Sequence, residues 1–188
     1  MAKKWNEMTP KERRIALAKD VIQRIRMKEL NVCMGNGYVV PFDHLNIKDL
    51  DGPITKTECK TLQKHCEVCA RGGLMLSRID KFNSIEWKDV IGTDIFQDSE
   101  YLSIEQEDTT KALKGAFSEN QLNLIEAAFE IDAYTYCGLN PPKKKQARGE
   151  QAETFGESYD NDSDRLMAIC QNIVDHGEFR PEVEYEII

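Results

Sequence analysis

The apolar positions in the first thirty residues recur every three or four residues, a spacing that predicts an amphipathic helix. The opening Thr9-Pro10-Lys11-Glu12 carries helix-start signals, because Thr9 can cap free backbone amides and Glu12 completes a capping box three residues later. Glycines at positions 35 and 37 disfavour a helical continuation. The sequence therefore predicts a helix over residues 10–30, with an apolar face made of Ile15, Ala18, Val21, Ile22 and Ile25.

A second helix is predicted over residues 59–82, or over 65–82 after a separate turn. Small side chains on one face of a helix let a neighbouring element approach closely. This segment is therefore expected to be the central packing element of the fold. Most side chains on its predicted packing face are small. The face consists of Cys66, Cys69, Ala70, Gly73, Leu76 and Ser77.

Two more helices and a little strand structure follow from the remaining pattern. Ser118 and Gln121 form a second capping box, and Asp162 or Ser163 is placed to cap a last helix that His176-Gly177 closes. The stretch 38–40 is β-prone but ends at a proline, which allows a short or an edge strand, and residues 182–187 alternate as a half-buried strand does. The inward positions of the two helices are Leu122, Ile125, Ala128 and Phe129, then Leu166, Ile169, Cys170 and Ile173.

Residues 143–162 have the weakest folding signal. They begin with three lysines and continue with acids, Gln, Gly and Ser, and Phe155 and Tyr159 are their large apolar side chains. Because so little apolar surface offsets the entropy of ordering, a mobile loop is expected here. The fold class predicted for the whole chain is mainly α with minor β (α+β). A single domain over residues 1–188 is expected, packed around the small-residue-rich second helix.

Composition narrows the classes of function. The 188 residues include 25 Lys and Arg against 33 Asp and Glu, a net charge of −8, and no apolar run is long enough for a transmembrane helix. Residues 1–30 carry net +5, so the remainder carries −13. An acidic body disfavours nucleic-acid binding, and the basic first helix is expected to lean on that body. The start lacks the apolar segment of an export signal, so reduced thiols in a cytosolic compartment are predicted.

The cysteines supply the sharpest candidate for site chemistry. Cys59, Cys66 and Cys69 could bind zinc, because thiolates in a C-x2-C half-site are common zinc ligands. A second half-site is missing, and Cys66 and Cys69 are predicted to lie one helical turn apart on a buried face. Core thiols are therefore the favoured interpretation, ahead of a metal site or a redox pair. Candidate fourth ligands are Cys33, His44 and His65.

The other candidates for catalysis are weaker. The glycine pairs at 35 and 37 and at 72 and 73 lack the spacing of phosphate-binding loops. His176 is placed at a helix C-terminus, which favours a cation, but the sequence shows no nucleophile that it would serve. No catalytic or cofactor-binding residue is predicted, and an enzyme with an unrecognised site stays open as an alternative.

Three blocks of sequence resemble a known group of proteins. They are Cys66-Glu67-Val68-Cys69-Ala70-Arg71-Gly72, which fits a Cys-x-Val-Cys-Ala-x-Gly signature, and the stretches 117–130 and 165–177. Together with Thr9-Pro10-Lys11-Glu12 they are similar to small uncharacterised proteins of tailed bacteriophages. The resemblance implies a viral origin and a place in the host cytoplasm, and it implies no reaction.

The function expected from these features is stoichiometric binding to another protein, either a host protein, such as a defence component, or a phage protein. The acidic body and the acidic loop predicted at 143–162 suit a basic partner surface. Neither nucleic acid nor a membrane is expected as a partner. The alternative to this function is a zinc-stabilised nucleic-acid-binding accessory protein that uses Cys59, Cys66 and Cys69 for the metal and the basic first helix for phosphates.

Overall fold

The computed structural model describes residues 3–35, 38–41, 55, 57, 60, 67–82, 101–104, 106–138 and 141–182. A 3-10 turn at Trp5–Glu7 precedes the first helix. The helices are α1 (Pro10–Arg26), α2 (Ala70–Phe82), α3 (Gln106–Ala112), α4 (Glu119–Glu130), α5 (Ala133–Cys137), α6 (Lys143–Glu157) and α7 (Asp162–His176). The strands are β1 (Asn31–Val32), β2 (Tyr38–Pro41), β3 (Glu67–Val68) and β4 (Tyr101–Ile104). The fold is mainly helical with minor β structure, as the sequence predicts.

Helix α1 begins where the capping box predicts and ends earlier than predicted. The Glu12 amide donates to the Thr9 hydroxyl, and the Thr9 amide donates to the Glu12 carboxylate. The prediction of helix to residue 30 is wrong, since the chain turns after Arg26 through Lys28, which has a φ of +58°. This turn leads into β1. The pairing of β1 with β3 stabilises the fold more than four further helical residues would.

The four strands form one mixed sheet in the order β1-β3-β2-β4. β1 runs parallel to β3, whereas β2 is antiparallel to both β3 and β4. The prediction that β2 is short is confirmed, but β2 lies inside the sheet. A terminal Pro41 is compatible with that position, because it is paired with Tyr101 of β4 at the very end of the strand and interrupts no central ladder.

Helix α2 is the central element, as predicted, although it starts later than predicted. Residues 67 and 68 form β3, so the predicted helical start at 59 or 65 is wrong at these positions. Nine of the thirteen residues of α2 are buried. A side chain added at Gly73 would stand 3.5 Å from Leu166 of α7 and 3.9 Å from Val21 of α1 and Val68 of β3. Because Gly73 has no side chain, α1, α7 and β3 can all approach α2 at this position.

The expectation of a loop over 143–162 is wrong, because Lys143–Glu157 form helix α6. The hydrophobic pattern did not indicate the packing face of α6, because most of the residues on that face are small. Its buried residues are Gly149, Ala152, Phe155 and Gly156. α6 packs on α4 and α5, and Phe155 makes an edge contact with Phe179, 5.2 Å between ring centres. Close helix approach therefore supplies the burial that large apolar side chains would otherwise provide.

Helix α7 agrees with the prediction in its inward face, since Leu166, Ile169, Cys170 and Ile173 are all fully buried. Its cap is Asn161, one residue before the predicted Asp162, and Gly177 closes it in a left-handed conformation with a φ of +80°. α7 packs along α1. The strand predicted at 182–187 falls outside the described residues, apart from Glu182.

Candidate functional site

Two of the predicted cysteines directly follow neighbouring strands of the sheet. The Cys33 amide donates to the Val68 carbonyl at 3.1 Å, so Cys33 and Cys69 follow the paired ends of the parallel strands β1 and β3. Cys69 lies immediately before α2, and β3 separates its position from that of Cys66. The expectation that Cys66 and Cys69 lie one turn apart on a helix is therefore wrong. Four positions of the predicted metal set fall outside the described residues: Cys59, Cys66, His44 and His65.

Cys69 is a buried thiol with an unfavourable setting for ionisation. Burial raises its pKa to about 12, the carboxylates of Glu126 and Glu130 act in the same direction, and backbone amides of Gly72 and Arg71 oppose them. The thiol is 8% exposed and packs in the core, as the favoured interpretation predicts. A protonated, buried sulfur is a weak nucleophile and a poor ligand. Cys170 is likewise buried, which raises its pKa.

Among the residues that the structure describes, no group of three or more His, Cys, Asp or Glu side chains is placed to hold a metal ion. Because Cys59 and Cys66 are not among them, the zinc alternative stays a prediction. His176 ends α7, as predicted.

Next to Cys69 lies a buried polar cluster that the sequence did not reveal. Arg71, 2% exposed, donates to the Asn123 side chain at 2.6 Å and forms an ion pair with Glu126, 3.0 Å between Nε and Oε2. The Arg71 guanidinium also donates to the Thr110 hydroxyl at 3.3 Å. Burial raises the pKa of Glu126, and Arg71 opposes that rise. The cluster joins α2 to α3 and α4, so its polar groups are engaged within the fold.

Glu130, one turn beyond Glu126, holds the chain segment that follows β1. Its carboxylate accepts a 2.7 Å hydrogen bond from the Gly35 amide. Burial raises the pKa of Glu130 to about 7, the Gly35 hydrogen bond lowers it, and the charges of Glu126 and Asp162 raise it further. Between pH 4.5 and about 7, the folded chain therefore holds a proton on Glu130 that the unfolded chain has already released, since the pKa of glutamate in the unfolded chain is 4.5.

Glu130→Gln should change how stability depends on pH. The wild type should lose stability as pH rises from about 4.5 to about 7, because the unfolded chain then binds fewer protons than the folded one. The variant lacks this loss and should be more stable by about 1 kcal/mol at pH 8, with the difference disappearing near pH 4. Urea unfolding across that range measures the effect, with Glu157→Gln as the surface control. Parallel profiles for Glu130→Gln and the wild type would contradict the assignment.

A groove between α5 and α6 combines an exposed aromatic ring with carboxylates. Its volume is about 540 Å³, and Tyr134 at its edge is 57% exposed. Glu150 is exposed, Glu153 is half-buried, and the Gln146 amide donates to Glu150 at 2.9 Å. The residues that line it are Ala133, Tyr134, Cys137, Gly138, Pro141, Gln146, Glu150 and Glu153.

The walls of this groove are held together tightly. A side chain at Gly149 of α6 would meet the Cys137 sulfur and would lie 3.1 Å from the Ala133 carbonyl oxygen. Burial raises the pKa of the Cys137 thiol, which Lys145 opposes and Glu150 reinforces. The Lys145 ammonium lies over the Tyr136 ring, 5.3 Å from its centre. The two helices that form the groove are therefore closely packed, and the groove places one aromatic ring beside two carboxylates.

A second groove, of opposite charge, lies between α1 and α7. It has a volume of about 470 Å³, and Met27 in its wall is 57% exposed. Its charged lining residues are Lys19 and Arg26, both exposed. Among the residues that the structure describes, the lining of this groove is Lys19, Ile22, Gln23, Arg26, Met27, Gln171 and Val174.

The remaining basic side chains of α1 are divided between the interior and the surface. Arg13 donates to the carbonyls of Trp5 and Gly115, and Arg14 to those of Gly177 and Ala116, at 2.5 to 3.0 Å. These contacts join the basic helix to the rest of the molecule through backbone carbonyls and not through acidic side chains. The Arg24 guanidinium is buried and forms ion pairs with three carboxylates, those of Asp20, Glu29 and Asp80.

No protein family, curated protein or solved structure matches the chain in comparisons with known proteins. Within the part of the chain that the structure describes, no helix has the length and apolar character needed to cross a membrane.

Proposed function

We propose that this chain is an accessory protein of a tailed bacteriophage that acts by binding stoichiometrically to another protein in the host cytoplasm. The observation that carries the proposal is the α5–α6 groove, which exposes Tyr134 beside Glu150 and Glu153. Exposed tyrosines beside a concave, firmly packed surface are frequent energetic centres of protein interfaces. The partner proposed here is a host enzyme or a defence component.

The proposal also accounts for the way the molecule uses its polar groups. Arg71 and Glu126 join helices inside the fold, and the thiols of Cys69 and Cys170 are buried and protonated. The α5–α6 groove instead presents its aromatic ring and carboxylates outward. Close packing of α5 on α6 at Gly149 limits the rearrangement needed for binding, which lowers the entropy lost on association.

Tyr134→Ala should weaken the complex about tenfold or more, because the variant loses an aromatic contact surface. Tyr134→Phe should stay within about threefold of the wild type, since the ring is kept. The tagged chain is used to capture proteins from phage-infected bacteria, and the retained partner is purified and titrated against each variant by calorimetry. Met27→Ala, in the other groove, is the control for loss of an exposed apolar side chain.

Three outcomes would contradict the proposal. The first is that no protein is retained in a fixed ratio to the chain. The second is that the retained molecule is nucleic acid, with zinc found by elemental analysis of the purified chain. The third is that Tyr134→Ala and Met27→Ala bind the partner as the wild type does.

A further inference from the structure

We infer that the α5–α6 groove binds a basic segment of the partner, with an arginine or lysine side chain lying over Tyr134 and pairing with Glu150 and Glu153. This inference rests on the proposed function and adds the chemistry of the partner. It assigns the recognition to one groove.

The charges of the groove select a cationic occupant. Glu150 and Glu153 line it, and none of its described lining residues is Lys or Arg. Neither carboxylate takes part in an ion pair within the described residues, and Glu150 accepts one hydrogen bond, from Gln146. A guanidinium or ammonium entering here would meet two carboxylates that have no ion pair among the described residues, whereas an acidic segment would be repelled.

The exposed ring supplies the second element of recognition. A cation over an aromatic face is stabilised by the ring quadrupole by about 0.5–2 kcal/mol, depending on how well water is excluded. The chain already forms such contacts internally: the Arg13 and Arg78 guanidiniums lie over the Trp5 ring, 4.9 and 4.6 Å from its centre, and the Lys145 ammonium lies over Tyr136. Tyr134 offers the same kind of ring to a cation from outside.

The net charge of the chain acts in the same direction at longer range. A charge of −8 attracts a basic surface and raises its rate of association, more strongly at low salt. The groove between α1 and α7, with Lys19 and Arg26, would instead select an acidic segment. The two grooves therefore predict partners of opposite charge, and the experiment can separate them.

The first test neutralises charge in matched pairs. Glu150→Gln/Glu153→Gln should weaken binding of the purified partner about tenfold and flatten the dependence of Kd on sodium chloride. Asp160→Asn/Glu182→Gln removes the same charge from exposed positions outside the groove and should change Kd less than about threefold. Thermal unfolding of each variant verifies the fold. Equal effects of the two pairs would overturn the inference, because net charge alone would then explain the binding.

The second test locates the contact. A photo-crosslinking benzoylphenylalanine is placed at position 134 or, as control, at position 27 of the full chain, which is irradiated in lysate of infected bacteria. We expect position 134 to crosslink to a partner peptide rich in Arg and Lys, and position 27 to give no crosslink to that partner. A neutral or acidic peptide at 134, a crosslink from 27 alone, or a second copy of this chain at 134 would overturn the inference. In the first two cases the proposed function would still stand, whereas it fails if no stoichiometric partner is retained.

Discussion

Replacing Gly156 with alanine should destabilise the fold by about 3 kcal/mol or more. Gly156 lies near the end of α6 against α4, and an added Cβ would fall inside the contact radius of the Ala128 carbonyl oxygen and 2.9 Å from its carbon. Both atoms belong to helical backbone, so the clash can be relieved only by moving α6 away from α4. Such a shift would also stretch the 3.1 Å hydrogen bond from Arg165 to the Gly156 carbonyl.

The matched control is Gly73→Ala in α2. Its new Cβ would have ordinary contacts at 3.5 Å or more, so the variant should be as stable as the wild type, or more stable by up to about 1 kcal/mol through the higher helix propensity of alanine. Urea unfolding monitored by circular dichroism measures both. Similar stabilities for the two variants would show that Gly156 of α6 is not in close contact with the Ala128 backbone of α4.

Arg165→Ala should be about equally damaging, at about 3–5 kcal/mol. The Arg165 side chain, 5% exposed, donates to the Gly156, Phe129 and Tyr159 carbonyls at 3.1 to 3.2 Å and to Asp162 at 2.8 Å. Removing it leaves buried carbonyl oxygens without their donor. Arg165→Lys should recover little of the loss, because one ammonium cannot reach the same set of acceptors.

The control for Arg165 is Arg180→Ala. Arg180 is exposed and pairs with Glu178 at 3.1 Å, an arrangement that contributes less than about 1 kcal/mol. Denaturant unfolding of the three arginine variants gives the comparison. A loss below 1 kcal/mol for Arg165→Ala would contradict the structural role assigned to its guanidinium.

The helices with capping boxes were predictable from the sequence, because their start signals and apolar spacing are local. Thr9 and Ser118 cap their helices as expected, and the inward face of α7 is the predicted one. The end of α1 was not predictable, because the turn at Lys28 serves the pairing of β1 with β3, which involves residues 36 positions apart.

Helix α6 was missed for a different physical reason. A hydrophobic pattern is recognised from large apolar side chains. Gly149 and Gly156 instead allow close packing because they have no side chain. Whether a glycine is a flexible loop residue or a close-contact residue depends on what faces it, here α4 and α5. The same limit applies to the candidate site, since the groove exists only once α6 forms.

The polar residues of the interior show the same dependence on tertiary structure. Arg71 and Glu126 are 55 positions apart, and no local motif pairs them. The thiol of Cys69 could be placed in the core from its apolar neighbours, but its strand setting could not, because β3 is only two residues long. Tyr134 had no distinguishing spacing in the sequence, and its importance comes from being exposed beside two carboxylates of another helix.

The contact between α1 and α7 has a consequence for synthesis of the chain. α1 is translated early, but α7, which packs along it, begins at residue 162, 136 residues after α1 ends at Arg26, and the Gly177 carbonyl that accepts from Arg14 comes later still. The apolar stripe of Leu17, Ala18 and Val21 therefore lacks its contacts with α7 until the ribosome has added residues 162–176. A nascent chain stalled before residue 162 should therefore be degraded faster than the finished protein.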